Sequence, residues 1–217
     1  MKALIIKDFR LLKYLNISHV IVGGIFAFVG VTMKEPFLSQ IVFVFLVFLL
    51  TYMSAMFISV REAKIQGDII LNSLPVKKGE IVKARYLSLF FYSIIISGYI
   101  YVVGFFTDIF MGPVNFPNFS TILVAISLSL MFLVFSLPFQ YYSIGKVQIF
   151  NGIFYMCLIL IPNIFNRYRD DIFETDFVKY LLSLDFTIVS IILFALAIAL
   201  YVFSFTVSLT IYKNKEF

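Results

Sequence analysis

The chain has 217 residues, 62% of them hydrophobic and 13% charged, with a formal net charge of +5 and a mean hydropathy of +1.02. Soluble domains carry roughly a quarter of their residues as charges, so this composition excludes a water-soluble fold and makes lipid the natural solvent. The positive excess does not indicate nucleic-acid binding either, because the cations border apolar stretches, where they meet anionic lipid.

In chain order, residues 1–16 come first. On a helical wheel Lys7, Arg10 and Lys13 share one face. Leu4, Ile5, Phe9, Leu11, Leu12 and Leu15 spread over the opposite arc, with Asp8 interrupting it. Such a helix lies in the interface plane as an elbow, apolar side down. The simpler reading of the same residues is a positive-inside anchor for the first span. A signal peptide is disfavoured, because the apolar stretch is long for one and no A-x-A-like site follows it.

A helix needs about 20 mostly apolar residues to cross the hydrocarbon core. Six stretches qualify: 17–33 (slightly short), 38–60, 86–107, 121–142, 147–165 and 186–212, none with Asp, Glu, Lys or Arg in its interior. Helices satisfy their own backbone groups in lipid, and nothing alternates as barrel strands do. The expected fold is therefore an all-α integral membrane protein, a single domain over 1–217 with six transmembrane helices. Lys34-Glu35-Pro36, residues 112–118, residues 143–146 and residues 166–185 separate the spans, and Pro138 and Pro162 predict kinks late in theirs. Thirteen cations (Lys2, Lys7, Arg10, Lys13, Arg61, Lys64, Lys77, Lys78, Lys83, Arg85, Lys146, Lys213 and Lys215) fall on one side and four (Lys34, Arg167, Arg169 and Lys179) on the other. That bias places both termini in the cytoplasm. The single Cys157 excludes an internal disulfide.

Residues 61–85 form the largest cytoplasmic loop. Ile65, Ile69 and Ile70 share a helix side, Asp68 suits the start of a short helix, and Pro75 ends it. A second helix begins near residues 78–80 and runs into the third span. The plainer reading is a solvated connector. In the outer loop, 166–185, Phe173, Phe177, Tyr180, Leu181 and Leu184 fall on one helical face behind Asp170, Asp171, Glu174 and Asp176. Phe173, Phe177 and Leu181 are candidates for an outer gate; a helix resting on headgroups reads the same way.

Absences narrow the function. There is no phosphate loop, no H-E-x-x-H and no G-x-S-x-G, so no catalytic, cofactor or metal site is expected. The only histidine, His19, reads as a packing residue near the end of the first span. Ion-driven transporters usually hold ionisable residues at mid-membrane, whereas the polar residues here include Asn151 and Gln140, which do not titrate. Pumping would need an external motor. The spaced small residues Gly23 and Ala27, Ser93 and Ser97, Ala125 and Ser129, and Ala195 and Ala199 offer helix-packing faces.

Two stretches carry a resemblance. Residues 3–9, Ala-Leu-Ile-Ile-Lys-Asp-Phe, precede the first span, and residues 71–86, Leu-Asn-Ser-Leu-Pro-Val-Lys-Lys-Gly-Glu-Ile-Val-Lys-Ala-Arg-Tyr, precede the third. Together with the topology they resemble a bacterial ABC transporter type-2 permease, most nearly the small peptide-exporter permeases of the phenol-soluble-modulin kind. The resemblance implies a multi-pass protein of the bacterial cell membrane, without its own catalytic site, that exports apolar or amphipathic cargo. It implies that Asp68, Ile69, Ile70, Leu74 and Pro75 couple to a separate ABC ATPase, where ATP and Mg would bind. It also implies a second permease subunit, identical or homologous, to complete the pathway. A different class remains open: a non-transporting membrane protein acting as an assembly or immunity factor.

Overall fold

The structure, a computed structural model, describes residues 1–33, 35–65, 71, 75–111, 115, 117–142, 147, 149–156, 160, 167 and 185–215. Its regular elements among these residues are α-helical: α1 (Lys2–Leu11), α2 (Lys13–Val31), α3 (Pro36–Lys64), α4 (Lys78–Met111), α5 (Phe119–Tyr142) and α6 (Phe186–Lys213). Residues 149–156 are helical as well. The helices α2 to α6 are long and apolar enough to cross a membrane. They fall on five of the six stretches expected. The rest, 147–165, lies largely outside the described residues.

Local chemistry sets the ends. The chain breaks at Leu12, whose N–H still reaches the Asp8 carbonyl at 3.2 Å, so the break falls earlier than the expected end of the elbow at residue 16. Thr32 donates its hydroxyl to the Phe28 and Val29 carbonyls at 3.1 Å and closes α2. Pro36 opens α3, where its missing N–H is harmless. Asp185 caps α6 by accepting from the Thr187 N–H at 2.8 Å. At the other end of α6, the Lys78 ammonium donates to the carbonyl of Lys213 (3.2 Å), the last helical residue, and to that of Lys215 (2.9 Å) just beyond it. The 34 residues of α4 run about 51 Å at 1.5 Å per residue, well beyond a hydrocarbon core of about 30 Å. The helix therefore overruns the apolar layer.

The bundle is apolar outside and partly polar inside. On α6 the buried residues are Ser190, Ala197, Tyr201, Ser204, Ser208 and Tyr212, whereas Ile188, Ile191, Ile192, Leu196, Val202 and Phe203 are exposed. Small and hydroxylated residues let helices approach where lipid is as apolar as leucine. Buried hydroxyls mostly bond within their own helix, as Ser54 does to the Leu50 carbonyl (2.7 Å), Ser97 to Ser93 (2.8 Å) and Ser129 to Ala125 (2.9 Å). Thr51 Oγ1 and Asn151 Oδ1 are buried without a hydrogen-bond partner among the described residues. Of the small-residue pairs read from the sequence, three are buried, while Ala195 and Ala199 face outward.

Packing centres on α4, which lies against each of the other five helices, while α6 packs most extensively on α5. An aromatic cluster joins α3 and α5 to residues 149–156: Tyr52 lies 4.9 Å from Phe132, and Phe132 lies 4.8 Å from Phe154, ring centre to ring centre. Pro138 sits inside α5 and cannot donate to the carbonyl four residues back, that of Val134. Ser204 of α6 donates to that carbonyl instead, at 2.6 Å.

Candidate functional site

The buried side of α1 carries Leu4 and Asp8, continued by Leu12 just past the helix. A carboxylate in the middle of a packed stripe is tolerated only when cations and donors surround it. Asp8, 2% exposed, has both. Ser88 of α4 donates to its Oδ2 at 2.7 Å, and Arg85 Nε stands 3.1 Å from the same oxygen. Lys7 Nζ lies 3.4 Å from Oδ1. Arg85 also pairs through Nη2 with Glu62 Oε1 in the last turn of α3. Lys7 donates to that same Glu62 oxygen at 2.5 Å.

These contacts close a ring of alternating sign: Lys7, Glu62, Arg85, Asp8 and back to Lys7. Each ion meets two of opposite charge, and the formal sum is zero. Desolvation costs several kcal/mol per ion. Each contact returns about 4 kcal/mol at the effective dielectric of a protein surface region, so the closed ring roughly balances. A ring missing one member does not, because it leaves a buried charge short of a partner.

The ring's position matters as much as its energy. Glu62 lies at the end of α3 and Arg85 two turns into α4, so they bracket the connector between the two helices. Of that connector, Leu71 is buried in the core and Pro75 is exposed. Asp68, Ile69, Ile70 and Leu74 lie outside the described residues, as do Phe173, Phe177 and Leu181.

The next residue, Tyr86, faces the other way. Its hydroxyl lies 2.8 Å from Ser204 Oγ and 2.7 Å from Ser208 Oγ, and its carbonyl accepts from the Tyr201 hydroxyl at 2.8 Å. Since Ser204 gives its proton to Val134, the hydroxyls order as a chain: Ser208 to Tyr86, Tyr86 to Ser204, Ser204 to the carbonyl that Pro138 leaves free. Tyr141 of α5 lies in the electrostatic field of Arg85, Glu62 and Asp8 and packs on Tyr212 of α6 at 5.2 Å.

The remaining sequence candidates find plain settings. Arg10 and Lys13 are exposed, while Lys7 is drawn into the ring. Arg61 lies over the Phe57 ring at 4.8 Å and the Tyr14 ring at 5.8 Å. His19 is buried beside the Tyr92 hydroxyl, 3.0 Å from Nδ1, and that hydroxyl donates to Asn16 Oδ1 at 2.5 Å. His19 Nδ1 must then carry the proton, which suits a packing role. Among the described residues no group of His, Cys, Asp and Glu could hold a metal ion.

Sequence reasoning missed the ring. The available signal was Asp8 itself, a charge centred between Leu4 and Leu12, and the Ala84-Arg85-Tyr86 step inside the stretch that carried the resemblance.

The family model described as ABC-2 family transporter protein matches residues 3–213. No curated protein and no solved structure matches the chain. The family match takes in α1, the ring, the connector and every described span, and on it the chain belongs to the ABC-2 family of transporter proteins, as a permease of an ABC transporter.

Proposed function

We propose that this chain is the membrane subunit of an ATP-driven exporter in a bacterial cell membrane, with both termini in the cytoplasm and α1 lying as an elbow in the interface. It forms half of a pathway for apolar or amphipathic cargo of the peptide class, and a second permease subunit, identical or homologous, forms the other half. ATP and Mg bind a separate ABC ATPase subunit, which docks on the connector through Asp68, Ile69, Ile70 and Leu74, just before Pro75. The observation that carries this reading is the ion ring at the connector's base within a chain that matches the family from residue 3 to residue 213. A connector braced at both ends can receive mechanical work. The apolar spans contain no acid or base of their own at mid-membrane to drive transport.

The test is docking. Ile69→Asp or Leu74→Asp would put an unpaired charge into an apolar contact and should weaken capture of the ATPase by about 2 kcal/mol or more. Membrane levels should not change, because the connector lies outside the apolar layer. Pull-down in detergent and cargo-stimulated ATP hydrolysis read the outcome. If both variants match the parent in both assays, the connector is not the docking surface.

A further inference from the structure

We infer that the ring of Lys7, Asp8, Glu62 and Arg85 locks α1 and the connector-bearing ends of α3 and α4 into one rigid lever, and that the Arg85–Tyr86 step divides a push on the connector between α1 and α6. The proposal rests on the docking reading above and adds the route by which the push travels. Asp8, Arg85 and Tyr86 are positioning residues in it.

Four observations carry it. The ring is closed and alternating, so opening any one contact takes one of two partners from an ion, and Asp8, Glu62 and Arg85 are largely out of water. Its members come from three helices and bracket the connector, which fixes the spacing of α3 and α4 where the connector emerges. Successive residues on a helix point about 100° apart, so Arg85 and Tyr86 grip different neighbours from one place: Arg85 holds α1 and α3, and Tyr86 holds α6 through Ser204 and Ser208. Finally, α4 lies against each of α1, α2, α3, α5 and α6. Through Ser204 the Tyr86 branch reaches the Val134 carbonyl, the one that Pro138 cannot serve. A displacement of the first turns of α4 therefore reaches the elbow by ion pairs and the last two helices by hydroxyls.

Two spin labels test the lever in the full chain, carried on a Cys157→Ser background in nanodiscs. They replace Arg10 on α1 and Lys64 on α3, both exposed and outside the ring. Pulsed dipolar spectroscopy of the chain alone should give one narrow distance. Asp8→Asn should broaden it, as should Arg85→Asp, and exchanging all four charges together (Lys7→Glu, Asp8→Arg, Glu62→Lys and Arg85→Asp), which restores the alternation, should narrow it again. A side chain that merely filled space would not be rescued by its exchanged partner. Should Asp8→Asn fail to reach the membrane, Glu62→Gln, at the less buried carboxylate, gives the same readout. With the ATPase bound, adding ATP and vanadate should leave the Arg10–Lys64 distance unchanged. It should change the distance between Lys64 and exposed Val202 on α6, and Tyr86→Phe should reduce that change. An Arg10–Lys64 distance that lengthens in the ATP state, or one that stays narrow in Asp8→Asn, overturns the lever. If no ATPase binds the parent, the docking reading fails, while the chain-alone arm still decides whether the ring is rigid.

Discussion

The exchange of partners at Pro138 can be measured as an energy. Proline leaves the Val134 carbonyl without its helical donor, and Ser204 supplies one at 2.6 Å from the neighbouring helix. Ser204→Ala removes that donor and takes one of two hydroxyl partners from Tyr86. An unpaired buried group costs about 1–3 kcal/mol, but hydrogen bonds between membrane helices average only about 0.6 kcal/mol, with a maximum near 1.7, because the membrane-unfolded state also finds partners. The lower range governs here, so Ser204→Ala should cost about 1.5 kcal/mol. In a Pro138→Ala background the restored backbone N–H can serve the Val134 carbonyl. Ser204→Ala then forfeits only its Tyr86 contact, about 0.5 kcal/mol. The four proteins of the cycle, unfolded in mixed micelles by increasing fractions of denaturing detergent, should show a coupling near 1 kcal/mol. Independent sites add to within about 0.3–0.5 kcal/mol. A coupling below that range would refute the claim that the serine replaces the donor that proline lacks.

Further outcomes follow from topology and from one close approach. Reporter tags after Phe217 and after Lys77 should read as cytoplasmic and a tag at Asp171 as external, on the thirteen-to-four division of cations; Asp171 and Phe217 reporting the same side would end the six-span assignment. A Cβ on Gly24 would stand 2.9 Å from the Tyr99 hydroxyl, which donates to the Val20 carbonyl at 2.6 Å. Gly24→Ala should therefore give little gain in the parent, the lost contact of about 0.6 kcal/mol offsetting most of a helix-propensity gain of about 1 kcal/mol. In a Tyr99→Phe background it should stabilise by most of that gain, and an equal effect in both backgrounds, read by detergent unfolding, would contradict the contact.

Hydropathy located the five helices that are long and apolar enough to span because lipid imposes one requirement along their whole length. It set their ends poorly for the same reason. The last turn of α3 and the first two turns of α4 carry charged side chains, which a hydropathy window leaves out although the helix continues through them, so the helices overrun the windows of 38–60 and 86–107. The helical wheel grouped Lys7 with Arg10 and Lys13 because angle is all a wheel contains. Glu62, 55 residues away, is what turns Lys7 inward. Asp8 looked like a flaw in an apolar arc, although a charge on a face that packs is evidence of a partner still to be found. That partner, Arg85, was already in view within residues 71–86, where it served to mark a resemblance. The pairing of 8, 62 and 85 is tertiary, and no local period encodes it. The small-residue pairs were legible only as a class, since Ala195 and Ala199 have the same spacing as the buried pairs and still face outward.

The composition that dissolves this chain in lipid also decides what can hold it together. Apolar contact gives little net attraction between helices whose alternative neighbour is a lipid tail. Of the helices that can span, α6 buries the smallest share of its apolar length and α5 the largest, so α6 depends most on polar contacts for its place. Its polar contacts with α4 include the Lys78 ammonium on the Lys213 carbonyl, the Tyr86 hydroxyl on Ser204 and Ser208, and the Tyr201 hydroxyl on the Tyr86 carbonyl. These fall between residues 78 and 86, on the turns of α4 that stand at the connector. α6 is thus held along its length by α5 and, at the connector end, by the first turns of α4. Elsewhere in α4 the polar contacts with α2 run through Tyr92 and Tyr99. The hydroxyl and ion contacts by which α4 reaches α6 and α1 thus gather in its first turns, next to the connector to which the proposed function assigns the ATPase.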